Sequence, residues 1–461
     1  MLLLGTTSIP FLHQGSATPF STASPLGTVY DLIVITPAEF ADYLPPLVTH
    51  KNSHGMKTTL ITTENIYASY PGRDHPEKIK YFIKYAIETW DTKYILLIGD
   101  ITRLPIRATD GYPWKNQTKN FGGNILTDLY YEDIYDANHS FCSWDANNNS
   151  IFGEVTYGEG MPPPMNDSDA VDLYPDINVG RLPCTSITEV QNMVEKIMIY
   201  EDNTYNQIWF KRIILAGGDT FPPGKNGARN IYEGEITNTK VAQQLPGFQK
   251  TYLWSSKYNL NFITFNRAID QGAGFLSYAG HGFEHGWGTY RPNFPRSTMG
   301  ITQPLYYTPL IRFLHNGDKL PIMFFDACLT AKLDFNISDL ARYYPNAVSL
   351  LQKFTQIKYL TSKDYLPCFA WSFLAKTGGG AIAAVGATRP AYTLVDENGV
   401  YGGAGYMDVH FFKAYSEGVT LGQMFTSAQN DYLNNVGKDY FTLEEFILLG
   451  DPSLMVGGYP S

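Results

Sequence analysis

Short apolar runs that stop at Gly or Asp recur along this chain, separated by longer amphipathic stretches. This pattern restricts it to a layered α/β fold. YDLIVITP (30–37) reads as a first strand, followed by a helical stretch and a second strand, KTTLIT (57–62). PEKIKYFIKYAIETW (76–90) places apolar residues at helical spacing with Pro in its first turn, and leads into the strand YILLIGD (94–100). Strand, helix, strand in sequence predicts parallel pairing. From 101 to 170 the chain is rich in Asn, Asp, Gly, Pro and Tyr without periodicity, which predicts an elaborated loop region. The pattern resumes at DINVGRLP (176–183), runs through the helix SITEVQNMVEKIMIYED (186–202) and restarts at WFKRIILAGGD (209–219). Further apolar runs follow at GAGFLSYAGHG (272–282), LPIMFFDAC (320–328), GGAIAAVGAT (379–388) and FILLGDP (446–452). The expected division is a signal-like or disordered segment over 1–27, an N-terminal α/β subdomain over 28–205, and a C-terminal α/β subdomain over 206–457.

Composition removes several function classes. Lys plus Arg is 34 and Asp plus Glu is 44, giving a net charge of −10, so bulk charge favours neither nucleic acid nor an anionic membrane. No P-loop and no Gly-x-Gly-x-x-Gly after a strand occurs. No apolar run reaches the ~18 residues of a membrane-spanning helix. Residues 2–12 are apolar and are followed by small residues, the outline of a signal peptide, although no Lys or Arg precedes them. Charged residues are only 17%, below the ~25% usual for globular domains, which leans towards a secreted or surface protein. The sequence leaves the oligomeric state open.

Two of the strands end in reactive side chains: FLSYAG runs into His281-Gly282, and PIMFFDA runs into Cys328. Open α/β sheets carry their sites on the edge where parallel strands end. A thiolate nucleophile with a nearby imidazole as acid and base suffices for acyl transfer. Gly282 leaves a backbone N–H free to approach a substrate carbonyl, and with the N–H of Cys328 it forms a candidate oxyanion hole. Cys142, Cys184 and Cys368 have no base beside them in sequence and read as inert buried thiols.

At these residues the sequence resembles the caspase-like cysteine peptidases, with an apolar strand ending in His-Gly and a later one ending in Ala-Cys. YAGHG, DACLTAKLDF, LPCFAWSFL, GGGAIAAVGAT and LLGDPSL, together with TDLYYED (127–133) and DLYPDINVGRLP (172–183), resemble the gingipain-type peptidases in that order, over roughly residues 28–457. The resemblance implies a caspase-like α/β/α sandwich of mostly parallel sheets with Cys328 as nucleophile and His281 as acid and base. It matches Asp128 to the acid that orients the histidine, with a turn or helix cap as the alternative. It also matches Asp172 to an acid in a pocket for basic side chains, with a strand-entry turn as the alternative. The loop after Gly386, which holds Arg389, Asp396 and Glu397, would line that pocket, and a buried Arg there would disfavour a basic substrate.

Two metal readings are also open: one competes for the residues around His281, and the other falls in the loop-rich middle. His281-Gly-Phe-Glu284-His285 spells His-x-x-Glu-His, an inverted zinc-peptidase motif that needs a helix, among glycines that disfavour one. WDANNNSIFGE (144–154) offers oxygens from Asp145, Asn147, Asn149, the Ile151 carbonyl and Glu154 to a structural calcium, or else forms an Asx-rich turn. Acceptor motifs for N-glycosylation occur at Asn116, Asn138, Asn148, Asn166 and Asn336. The reading these residues support is a secreted or surface cysteine endopeptidase acting on protein or peptide substrates. The alternative from another class is a non-catalytic surface or secretion-associated protein that keeps the peptidase fold for binding.

Overall fold

The computed structural model describes residues 29–111, 124–157, 165–221, 231–290, 305–346 and 365–460. The segment 1–27 and Asn116 lie outside the described residues. Ten strands form one central sheet: β1 (Leu32–Thr36), β2 (Thr58–Thr62), β3 (Tyr94–Ile98), β4 (Asn178–Leu182), β5 (Arg212–Gly217), β6 (Gln249–Trp254), β7 (Phe275–Ala279), β8 (Ile322–Asp326), β9 (Ala383–Ala387) and β10 (Phe446–Leu449). Their order is β6-β5-β7-β8-β9-β10-β4-β3-β1-β2. Strands such as LIVIT, YILLI and IMFFD are buried along their whole length, as expected of parallel strands covered on both faces.

Neighbouring strands are parallel except β9 and β10, which run antiparallel with Ala384 opposite Leu449 and Ala387 opposite Phe446. The two groups β5–β9 and β1–β4 therefore run in opposite directions, and β10 joins them through a single pairing of Leu449 with Arg181. Residue 205 falls between the helix Ile187–Asn203 and β5, where the chain passes from one group to the other. The helix Ile187–Asn203 packs against Pro45–Ser53 and Phe369–Ala375, and Gly403–Lys413 packs between Glu233–Gln244 and Leu421–Asn435. These helices complete the layers that enclose the sheet.

Local chemistry explains the helix starts. Asp74, Ser186, Asn261, Asn336 and Thr420 cap helices by accepting backbone N–H groups. The loop-rich middle is built around short strand pairs, Arg107–Thr109 with Ile125–Thr127 and Val155–Tyr157 with Met165–Asp167. Its anchor is a buried aromatic group, Tyr130, Tyr131 and Trp144.

Candidate active site

Three neighbouring strands end at one level. Ala279 of β7 pairs with Asp326 of β8 and with Gly217 of β5. Two residues beyond these pairs stand His281, Cys328 and Asp219. Parallel strands ~4.8 Å apart thus set an imidazole, a thiol and a carboxylic acid side by side on one sheet edge.

His281 opens a hairpin of His281–Phe283 with Gly286–Gly288. The buried Tyr278 hydroxyl fixes its base, within 3.1 Å of the His281 carbonyl and 2.7 Å of the Gly288 carbonyl. The His281 ring stands edge-on to Phe221 and Tyr290, and its Nε2 lies 2.8 Å from the Thr220 carbonyl oxygen. A carbonyl only accepts, so Nε2 carries a proton and Nδ1 is the nitrogen able to act as a base.

Cys328 is half-buried. Its sulfur lies 3.2 Å from the Ala391 N–H, which donates to it, and 3.3 Å from the Ala391 carbonyl. Burial pushes its pKa up to about 12; the Ala391 N–H opposes this, and the Glu445 and Asp326 carboxylates add to it. The thiol is therefore neutral at pH 7. The next residue, Leu329, has φ +59°, a left-handed conformation costly for a branched side chain. It turns the chain sharply so that the Leu329 N–H reaches the Arg389 carbonyl.

Gly282 explains itself by contact. A Cβ built there would lie 2.1 Å from the Cys328 carbonyl oxygen and 2.9 Å from its nitrogen. The backbones of the two expected oxyanion-hole residues therefore touch, which only glycine permits at position 282.

Asp219 was not among the residues singled out from the sequence. It is fully buried, and no well-formed hydrogen bond reaches its carboxylate among the described residues, although the Phe221 N–H acts on it and opposes the rise in its pKa. Burial first, and then the Glu233 carboxylate, raise its pKa to about 7. Its neighbour Thr220 supplies the carbonyl that holds His281. The available signal was the string RIILAGGD, whose Asp stands two residues past the strand, as His281 and Cys328 do on theirs.

Asp128 is placed elsewhere. Both of its oxygens accept from Arg181, at 2.7 Å from Nε and 2.7 Å from Nη2. Arg181 lies on β4, three strands from β8, or about 14 Å by strand spacing. The structure brings Asp128 to this buried ion pair rather than to the imidazole, and Arg181 also donates to the Leu104 carbonyl. Asp172 accepts the Tyr174 N–H at 3.0 Å, the arrangement of an Asx turn. Arg389 is buried and pairs through both terminal nitrogens with Asp334 of the segment that follows Cys328, so its charge is met within the protein.

The His-x-x-Glu-His reading is overturned. These residues form a hairpin with Glu284 and His285 at its tip, so the two imidazoles do not share a helix face. Glu284 accepts from the Tyr343 hydroxyl. His285 packs among Tyr307, Phe335, Tyr343 and Tyr344, where burial lowers its pKa to about 4.

The Asx-rich loop is held by N–H donors. Asp145 accepts from Asn149, Ser150 and the Arg73 guanidinium. Asn147 accepts from the Asn149 N–H, Asn149 from the Ile151 N–H, and Glu154 from the Asn147 and Asn149 amides. Arg73 also donates to Asn148, so a cation is already present as a guanidinium. Calcium at this loop would have to displace it, and the arrangement fits a turn better than an oxygen cage. Asn336 caps a helix, while Asn138 and Asn148 are exposed. Cys142, Cys184 and Cys368 are buried free thiols whose pKa values burial raises.

Comparison with known proteins fits this geometry. Residues 26–457 match the family model described as peptidase family C25. Gingipain R2 of Porphyromonas gingivalis is 23% identical over 312 residues, 66% of this chain and 33% of the relative. A Lys-gingipain of the same organism is 21% identical over 178 residues, 36% of this chain and 8% of the relative. The chain thus spans about a third or less of the length of these curated relatives. Among solved structures, the Arg-specific cysteine proteinase gingipain R superposes with a TM-score of 0.62 at 18% identity, covering 94% of this chain and 80% of that one. The complex of the pro- and mature domains of RgpB from P. gingivalis gives 0.60 at 19% identity, covering 92% and 79%. The fold is therefore the caspase-like α/β/α sandwich.

Proposed function

We propose that this chain, which belongs to peptidase family C25, hydrolyses internal peptide bonds through a Cys328 thioester. The observation that carries the proposal is the common level of Asp219, His281 and Cys328 on three adjacent strand ends. Because the thiol is neutral at rest, His281 Nδ1 takes its proton as sulfur attacks the scissile carbonyl, so deprotonation and attack are coupled. The N–H groups of Gly282 and Cys328 receive the oxyanion. The imidazolium then returns the proton to the departing amine. Water, deprotonated by the same ring, clears the thioester. Glu233 fixes the Thr220 segment that holds the ring by accepting the Thr220 and Phe221 N–H groups, and Asp219 acts as a positioning residue that, when ionised, stabilises the imidazolium.

One solved relative is named Arg-specific, and we extend a preference for Arg or Lys to this chain. Two features support it: Glu445 is fully buried with both oxygens unpartnered among the described residues and lies close enough to affect the thiol, and Arg389 is neutralised by Asp334. Secretion or attachment to the surface belongs to the same proposal. Among the described residues no helix is long and apolar enough to cross a membrane.

The test is incubation with a diverse peptide library under reducing conditions, with cuts mapped by mass spectrometry and Cys328→Ala run in parallel. Cuts after Arg and Lys that vanish in the variant are expected. Equal cutting by both proteins would remove Cys328 as nucleophile. No cutting by a folded wild-type chain would favour the non-catalytic reading, for which the Ala391 clasp on the thiol is the supporting observation.

A further inference from the structure

On the side of the molecule away from the thiol, two histidines and a carboxylate converge. Phe446 pairs with Ala387 near the site, and Leu449 pairs with Ala384, so the chain leaves β10 heading away from Cys328. It passes Asp451 and ends beside the helices Pro45–Ser53 and Ile187–Asn203. His50 and His54 lie one turn apart at the end of the first helix and so project to one face. That face meets Glu201 and Asp202 at the end of the second.

We propose that His50, His54 and Asp202 form a zinc site that clamps these two helices together. One ligand atom from each of the three lies within 4.8 Å of the others. Asp202 Oδ1 is 3.1 Å from His54 Nε2 and 3.9 Å from His50 Nδ1. Ligands around tetrahedral zinc stand ~3.3 Å apart, given bonds of ~2.0–2.1 Å, so closure from separations of at most 4.8 Å needs a contraction of about 1.5 Å or less. The outer residues can supply it, because the side chains of His54 and Asp202 are 28% and 49% exposed. The same exposure leaves a fourth position for water.

The surroundings are those of a metal-bound histidine. His50 Nε2 is 2.9 Å from Glu201, so the carboxylate accepts that proton and directs Nδ1 towards Asp202. Glu201 is itself fixed by Lys51 at 2.7 Å and by the Met455 N–H at 2.9 Å. Tyr459 stacks on His54 at 4.0 Å with an interplanar angle of 5°. Two imidazoles and one carboxylate suit a borderline divalent ion such as zinc, whereas calcium needs six or more oxygens.

The experiment uses the full chain carrying Cys328→Ala, so that the active-site thiol does not compete for metal. After dialysis against a chelator it is titrated with zinc chloride by calorimetry, with metal content measured by mass spectrometry and thermal unfolding followed in parallel. One zinc per chain and a raised Tm are expected. His54→Gln and Asp202→Asn, both at the solvent rim, should each weaken binding at least ~10-fold while leaving the chelator-treated Tm unchanged. Zinc binding of unchanged affinity in the double variant, or no zinc-dependent rise in Tm, would overturn the site.

Discussion

His281 depends on the backbone beside it: the Thr220 carbonyl decides which ring nitrogen is the base, and the buried acid Asp219 directly precedes Thr220 in the chain. Asp219→Asn keeps the volume and removes the charge. It is expected to lower kcat by roughly 10²-fold, the range of a general-acid or base contribution, with KM little changed. A kcat within about threefold of wild type would show that the Thr220 carbonyl alone orients the ring. The thiol gives a second prediction. With its pKa pushed up to about 12 by burial, Cys328 should react with iodoacetamide at pH 7.5 more slowly than a free cysteine. Its rate should still be rising above pH 8. A plateau below pH 7 would instead indicate a preformed thiolate and contradict coupled deprotonation. Cys328 and His281 were legible in the sequence because each ends an apolar run and sits in a distinctive dipeptide. Asp219 was not, because strand, Gly, Asp also occurs in YILLIGD and FILLGDP, and only strand adjacency separates one from the others. Asp128 was misplaced for a related reason: sequence shows a carboxylate, but only the fold reveals the arginine that claims it.

The hairpin that begins at His281 shows what one element contributes. Its first strand lies so close to the Cys328 turn that a methyl group at position 282 would overlap the Cys328 carbonyl oxygen. Gly282→Ala must therefore push the hairpin away from the nucleophile or open the turn at Leu329. Overpacking of this kind costs about 1–3 kcal/mol, a loss the fold can survive but a displacement the site cannot. The expected outcome is a folded protein with a modestly lowered Tm and cleavage reduced by about 10²-fold or more, as for loss of an oxyanion donor; near-normal cleavage would remove Gly282 from the site. The elements were readable where periodicity was strong, as in the helix His75–Trp90 and the strands β1 and β3. The strand Gln249–Trp254 at the sheet edge escaped notice, since its burial is only partial and its apolar pattern is correspondingly weak. The direction of β10 was also hidden, because a four-residue apolar strand has the same composition whichever way it runs.

At the scale of the whole molecule, the parallel sheet was implied by alternating strands and helices, but its extent was not. The number of strands in one sheet depends on the Leu449–Arg181 contact, between residues far apart in the chain. The same layered packing that covers the sheet buries acids in its strands, in the helices against it and in its loops, and this sets how stability responds to pH. Burial raises Asp133, Asp219 and Asp326 to about 7 and Glu132 and Glu444 to about 8, and it holds Asp408 and Glu445 well above their ordinary values. Each binds its proton more tightly in the folded chain than in the unfolded one. As pH rises through the unfolded values near 4, the unfolded state ionises first and is favoured, so stability falls until the folded acids also ionise. His285, lowered to about 4, and His410, also lowered, act in the opposite sense below pH 6.5, but they are two groups against seven. Lys196 and Lys80, lowered to about 7 and about 8, contribute mainly above pH 7. The Tm of Cys328→Ala protein, chosen so that the proposed activity does not interfere, is therefore expected to fall by several degrees between pH 5 and pH 7, since each kcal/mol moves a domain of this size by about 2–4 °C or less. Asp326→Asn mimics the protonated form of one of these acids and should make that decline shallower. A Tm that climbs steadily from pH 5 to pH 7 would mean that these carboxylates are ionised in the folded chain, with partners or water reaching them in its interior.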